Sequence, residues 1–302
     1  MTLDYHLVDV FTDQAFGGNP LAVFPDGRNL SSALMQKIAQ ELNLSETTFV
    51  LPPKDSRHDA QVRIFTPAAE LPLAGHPTVG TAFVLARTGQ IKKDAAVFEE
   101  GVGPIPIALE LGKGRSGMIT MDQPLPQFGP AVQEPAHIAE VLSLAPRELM
   151  AGLPIEVGSC GVPFLFVPLK NLEAIGRVAL RPDLWRKRFA HFNTPLLFLF
   201  TMEVQRPGST VHSRMLAPSL GIAEDPATGV ASGPLGCYLL KHGLVSAEQA
   251  LHIVSEQGIE MGRPSFIHIQ IEQRNGKIAR VRVGGTCVYM GQGRLEVPTE
   301  AP

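Results

Sequence analysis

Several short phrases in this chain occur twice, and the repetition restricts its fold more than its composition does. "GNPLAVF" at Gly18–Phe24 returns as "GVPFLFV" at Gly161–Val167, 143 residues on. "RIFTP" at Arg63–Pro67 returns as "RMLAP" at Arg214–Pro218, 151 residues on. "GHPTVGTA" at 75–82 returns as "DPATGVAS" at 225–232, which sets His76 opposite Asp225 at an offset of 149. Recurring strand–turn composition would explain one such match. Three in the same order at nearly constant offset read as a duplication with pseudo-twofold symmetry. The 302 residues suffice for two domains. The expected boundaries are 1–125 and 126–302, with the Pro-rich "MDQPLPQFGP" (121–130) as linker and the last strand free to return to the first domain.

Each half leads from strands through a Pro-containing turn into one apolar helix. "HPTVGTAFVLARTG" has Pro77 near its first turn and Gly89 as a C′ residue. Its interior, Val79, Ala82, Phe83, Val84, Leu85 and Ala86, is apolar on every face, so the helix should be buried. The counterpart "SGPLGCYLLKHG" closes on Lys241, His242 and Gly243, a good C-terminal signal. Pro234 is unfavourable inside a helix, which places the start at Ser232 or Gly233. "SSALMQKIAQELNL" is an ordinary amphipathic helix with Leu34, Ile38 and Leu42 on one stripe. Strand-like runs surround these helices, among them "YHLVDVF", "TTFVL", "AQVRIF", "FLFVPL" and "LLFLF". The expected class is α+β: two sheet-rich domains, each curled around one buried helix, facing each other across a cleft.

Charge and motif content exclude several functions. Lys and Arg number 26 against 29 Asp and Glu, and no basic run is interleaved with aromatics, so no nucleic acid partner is expected. "GVPFLFVPL" (161–169) and "TPLLFLF" (194–200) fall well short of the roughly 20 residues of a spanning helix, so no membrane partner is expected. "MTLDYHLVDVF" carries Asp4 and Asp9 and lacks the apolar core of a secretory signal. Cys160, Cys237 and Cys287 are odd in number and share no CxxC spacing, which points to a reducing cytoplasm. There is no Walker-type loop or HExxH, and the nine His are scattered, so neither nucleotide nor metal is expected. In "GVASG", Ser232 stands one place too late for a GxSxG nucleophile elbow.

The candidate chemistry lies at two helix starts and one strand mouth. A helix N-terminus offers unpaired N–H groups and partial positive charge to a carboxylate. "AGHPT" and "EDPATGVAS" are two such starts, where Gly75 and Gly229 allow close backbone approach. Taken singly, Asp225 is a routine cap and His76 a routine turn residue. As a symmetric pair at one cleft, they favour function. Glu46 in "LNLSETTFVL" breaks the symmetry, because the offset of its strand lands on the apolar Leu197. At the mouth of a buried strand its carboxyl would be poorly solvated, raised in pKa and able to take and return a proton. The alternative is a solvated turn Glu in a capping role.

These stretches, with "DVFTDQAFGGNPLAVF", "RIFTPAAELPLAGHPTVGTA", "SRMLAPSLGIAEDPATG" and "QGIEMGRPS", span nearly the whole chain. Together they resemble the PhzF-type family of phenazine-biosynthesis isomerases, which shares its fold with diaminopimelate epimerase. The resemblance implies two pseudo-twofold-related domains, each a barrel-like curled sheet around a central helix. It also implies no cofactor and a homodimer. Glu46 matches the family's proton carrier, His76 and Asp225 its supporting residues, and Asn19 a position near the site. The epimerase relatives use one Cys from each half, whereas the turns here hold Ala74-Gly75-His76 and Asp225-Pro226, and all three cysteines fall in the second half. Two-thiol epimerisation is thereby excluded. Where the isomerases have Ser after "ATG", this chain has Val230, which keeps the backbone N–H and loses the hydroxyl.

The expected function is a cofactor-independent isomerase that moves a proton within a small cyclic or unsaturated carboxylic acid resembling dihydro-3-hydroxyanthranilate. The substrate carboxylate is expected on N–H groups around Gly75, His76, Gly229 and Val230. The alternatives are a racemase, epimerase or dehydratase on the same scaffold, or an inactive protein that sequesters a small acid.

Overall fold

The computed structural model describes residues 1–111, 116–189, 196–217 and 222–298. The chain divides into two compact units, Met1–Asp122 together with the chain from Gly284 onward, and Gln123–Val283.

In the first unit, strands β1 (Thr2–Val10), β2 (Asn19–Phe24), β3 (Glu46–Leu51), β4 (Ala60–Phe65) and the short β5 (Glu70–Leu71) precede β6 (Ala95–Glu100), β7 (Gly103–Leu111) and β8 (Ser116–Gln123). Helix α1 (Ser32–Leu42) lies between β2 and β3, and helix α2 (Gly75–Arg87) between β5 and β6. The second unit holds β9 (Gln127–Ala131), α3 (Pro135–Val141), β10 (Glu156–Ser159), β11 (Pro163–Pro168), α4 (Leu172–Gly176), α5 (Pro182–Phe189), β12 (Leu197–Thr201), β13 (Val211–Ala217), β14 (Ile222–Asp225), α6 (Gly229–Lys241), β15 (Ile253–Gln257) and β16 (Ser265–Arg274). A long last strand, β17 (Lys277–Glu296), passes from the second unit into the first.

The duplication is written in the strand pairing. In the first unit β1/β2 are antiparallel, β2/β3 parallel, β3/β4 antiparallel, β4/β6 parallel and β6/β7 antiparallel. In the second unit β10/β11, β11/β12, β12/β13, β13/β15 and β15/β16 follow the same sequence of senses. The short strands β5 and β14 add antiparallel to β4 and β13 in turn. In the first unit β7 also pairs with β8, β8 with β17 and β17 with β1, which closes an eight-stranded barrel. Closure leaves this sheet no free edge along the ring.

Helix α2 packs on β1, β2, β3 and β7, and α6 on β10, β11 and β16. Every α2 residue from Gly75 to Leu85 is buried, as its all-round apolar sequence requires. Gly89, at φ +77°, follows the Thr88 C-cap as the expected C′ residue, and Gly243 at φ +69° does the same after His242. Helix α1 lays Leu34, Met35, Ile38 and Ala39 onto a separate cluster with Phe24, Phe49 and Phe65. Its Ser31 hydroxyl accepts the Leu34 N–H at 3.1 Å as N-cap.

Two expectations need correction here. Helix α6 begins at Gly229, not at Ser232 or Gly233, and carries Pro234 in its second turn. Pro234 forgoes the bond to the Val230 carbonyl and sits between Gly233 and Leu235, where the small preceding residue relieves ring crowding. The first turn is held by other means. Ala231 N–H reaches the Thr228 carbonyl at 3.1 Å, the Ser232 hydroxyl donates to the same carbonyl at 3.0 Å, and the Gln123 side chain donates to the Gly229 carbonyl at 3.0 Å. The stretch 121–130 is also mostly strand, since β8 runs to Gln123 and β9 starts at Gln127, leaving three residues between them. The strand expected over 194–200 is present from Leu197; Thr194 and Pro195 lie outside the described residues, as do 218–221 of "SRMLAPSLGIAEDPATG".

Candidate active site

Strand alternation and helix rise bring Glu46 to His76. Residues 46 and 48 of β3 share one face, about 6.6 Å apart along the strand. Residues 76 and 81 of α2 are about 7.5 Å apart along the helix. The two elements run alongside each other, so the Thr48 and Thr81 hydroxyls meet at 2.8 Å in the buried interior. One step back, Glu46 Oε2 lies 3.1 Å from His76 Nε2. Asn19, first residue of β2, completes the cluster, its Nδ2 lying 3.1 Å from His76 Nδ1. Asn19, Glu46 and His76 are all buried, at 0, 9 and 3 % exposure.

This burial fixes the state of the histidine. Withdrawal from water pushes the His76 imidazole down to about 3, so it is neutral at any working pH. A neutral imidazole has one N–H. With the Asn19 amide donating to Nδ1, the ring proton belongs on Nε2, the nitrogen that faces Glu46. The site thus sets the Glu46 carboxyl beside an uncharged imidazole N–H. Gly75 and His76 are the first two residues of α2, where N–H groups have no intrahelical acceptor; Pro77 next to them has no N–H.

Asn19 is held by the tight loop ahead of it. Gly18 has φ +62°, and a Cβ there would stand 2.2 Å from the Val10 carbonyl oxygen. The buried Asp9 carboxylate accepts the Phe16 N–H at 2.7 Å, and Phe16 adopts φ +69°.

In the second unit, Asp225 ends β14 and is 6 % exposed. The Thr228 hydroxyl donates to Asp225 Oδ2 at 2.5 Å. Gln257, at the end of β15 and fully buried, ties this loop three ways. Its Nε2 donates to the Asp225 carbonyl at 2.8 Å and to the Thr228 hydroxyl oxygen at 2.9 Å, while its Oε1 accepts the Thr228 N–H at 3.1 Å. The proton count closes when Thr228, receiving from Gln257, gives its hydroxyl proton to Asp225. Gly229 and Val230 follow directly as the first two residues of α6, and Val230 is 8 % exposed.

Asn19, Glu46, Gly75 and His76 therefore gather in the first unit, and Asp225, Gly229 and Val230 gather in the second. One pairing is corrected. Gly75 and Gly229 both open 13-residue helices, so the counterpart of His76 is Val230 and not Asp225, which ends the preceding strand. Gln257 and Thr228 were not singled out from the sequence. Thr228 stands inside "EDPATG", but Gln257 is about thirty residues away, with no local signal linking it to Asp225.

The profile of the PhzC-PhzF family, described as phenazine biosynthesis-like protein, matches residues 8–293. An uncharacterized isomerase of Mesorhizobium japonicum is 38% identical over 301 residues, covering 97% of this chain and 99% of that protein. The trans-2,3-dihydro-3-hydroxyanthranilate isomerase of Pseudomonas fluorescens is 37% identical over 292 residues, covering 97% of this chain and 99% of that protein. The crystal structure of a PhzF-family phenazine biosynthesis protein from Bacillus anthracis superposes with a TM-score of 0.87 at 27% identity, over 98% of this chain and 100% of that one.

Proposed function

The chain belongs to the phenazine biosynthesis-like PhzC-PhzF family, and from that membership we propose that it isomerises a small cyclic, unsaturated carboxylic acid of the trans-2,3-dihydro-3-hydroxyanthranilate type. The observation that carries the reading is the buried contact of 3.1 Å between Glu46 and a neutral His76. Glu46 as carboxylate takes a proton from an activated C–H. The electron pair left behind spreads into the conjugated system, and the same proton returns at another carbon, so no electron is gained or lost overall. The His76 Nε2–H steadies negative charge on the delocalised intermediate without itself titrating. The substrate carboxylate is received by N–H groups of a helix start, at Gly75 and His76 or at Gly229 and Val230. Asp225, oriented by Thr228 and Gln257, accepts a hydrogen bond from a substrate hydroxyl or amino group. A homodimer belongs to the same proposal through the resemblance, and a cytoplasmic setting through the three free cysteines.

The test is turnover of trans-2,3-dihydro-3-hydroxyanthranilate in heavy water, followed by NMR. The expected result is conversion with the migrating proton partly replaced by deuterium. Glu46→Gln should lower kcat by about 10²–10⁴-fold while substrate still binds. Normal turnover by Glu46→Gln would refute the assigned proton carrier. Exchange at Cα of an amino acid without isomerisation would instead favour an epimerase.

A further inference from the structure

Besides Glu46 and Asp9, the first unit buries another carboxyl that the proposed chemistry does not use. Glu100, the last residue of β6, is 9 % exposed, and its Oε1 lies 2.5 Å from the Thr78 hydroxyl oxygen. That hydroxyl also lies 2.7 Å from the Ala74 carbonyl oxygen. Glu100 Oε2 is buried and has no hydrogen-bond partner among the described residues.

Proton counting decides the state of this chain of three oxygens. The Ala74 carbonyl can only accept, and Thr78 has a single hydroxyl proton. An ionised Glu100 leaves two acceptors facing each other wherever that proton goes: at 2.5 Å to Glu100 when Thr78 donates to Ala74, or at 2.7 Å to Ala74 when it donates to Glu100. A neutral Glu100 instead donates to Thr78, which donates to Ala74, and each oxygen is matched. The next two residues grip the same segment. The Val102 N–H donates to the Pro72 carbonyl at 3.2 Å, and a Cβ on Gly101 would stand 2.7 Å from Pro72 Cα. The β6–β7 turn thus holds residues 72–78, the approach and first turn of α2, from which Gly75 and His76 project.

We infer that Glu100 is a positioning residue for the Glu46–His76 site, acting as a neutral carboxylic acid that donates to Thr78 and so fixes the first turn of α2. The inference rests on the proposed function only in taking His76 to serve the reaction. Burial pushes the Glu100 carboxyl up to about 8, against the weaker opposing pull of Thr78. Among the described residues, no charged group offsets this. Glu99 on β6 bonds the Lys54 and Asp55 N–H groups and His58; Arg63 on β4 is paired with Glu70 of β5. Glu110 stands opposite Met118 on β8, far along β7 from Gly103, the residue opposite Glu100; Arg87 ends α2; and His76 is neutral. Above pH 8 the added charge would break the chain at Thr78 and loosen the turn that carries His76.

Two measurements test this. In protein labelled with ¹³C at the glutamate carboxyl carbons, one signal, assigned by its loss in Glu100→Gln, should titrate near pH 8. Titration in the ordinary carboxylate range would overturn the inference. In turnover, kcat/KM of the native protein should fall on an alkaline limb near pH 8. Glu100→Gln, whose amide can still donate to Thr78, should stay within about threefold at pH 7 and lack that limb, while Glu100→Ala should lose about tenfold or more. A limb that persists in Glu100→Gln, or equal losses in the two variants, would overturn it. If no substrate turns over, the proposed function fails, and the carboxyl titration still decides the state of Glu100.

Discussion

Replacing His212 by Gln should make the protein's stability much less dependent on alkaline pH. His212 lies on β13 with no solvent exposure, its Nδ1 2.8 Å from Glu256 Oε1 and its Nε2 2.8 Å from Glu260 Oε1. An imidazole between two carboxylates satisfies both only when both nitrogens carry protons, so His212 is an imidazolium. Burial works to lower its pKa, but the hydrogen bonds it donates to Glu256 and then Glu260 outweigh that and hold it at about 9. The unfolded value is about 6.5, and the gap of about 2.5 pH units at 1.36 kcal/mol each amounts to roughly 3 kcal/mol. The folded pKa is the raised one. The stabilisation is therefore complete below pH 6.5 and is lost as pH rises through about 9. Glu256 also accepts the N–H groups of Gln205 at 2.6 Å and Arg206 at 3.0 Å, so the same triad ties down the loop between β12 and β13. At pH 6 the variant should be less stable by about 3 kcal/mol, or about 6–12 °C in Tm for a domain of this size. At pH 10 most of that difference should be gone. Thermal unfolding of both proteins at the two pH values is the assay. An equal difference at both would mean that His212 is not charged in the fold, and the triad argument would fail.

Other consequences are open to measurement. His76 should show a neutral Nε2–H tautomer in ¹⁵N NMR across pH 5–9, since burial holds its pKa at about 3; a titration near 6.5 would contradict the buried geometry. Asp225→Asn should reduce kcat/KM by about tenfold to a hundredfold with little change in Tm, because the loop keeps its Gln257 bonds; steady-state kinetics beside a melting curve separates the two effects. Gly18→Ala should cost about 1–3 kcal/mol, from the positive φ and the contact with the Val10 carbonyl, and should impair turnover by displacing Asn19; urea unfolding with parallel kinetics checks both.

The repeat, the two buried helices and the single odd carboxylate were all legible in the sequence, because each is carried by neighbours along the chain. All-round apolarity is a local property of "TAFVLA", and it alone requires α2 to be surrounded by protein. Glu46 was conspicuous because its strand carries no other charge and its repeat partner is Leu197. Pro234 misled for the same reason. Local propensity argues against a proline in a second helical turn, and only the bonds from Gln123 and Ser232 outweigh that penalty. The matching of His76 with Val230 rather than Asp225 needed the helix starts themselves, since a short alignment slides by a few residues without penalty. Gln257 reaches Asp225, and Glu100 reaches Thr78, across separations that strand register and helix placement set and no local pattern records. The sequence determined which segments must be buried and that they come in two sets. Tertiary structure decided which polar groups share that interior, and so which of them are kept neutral or charged, because burial and hydrogen-bond partners exist only once distant segments have met.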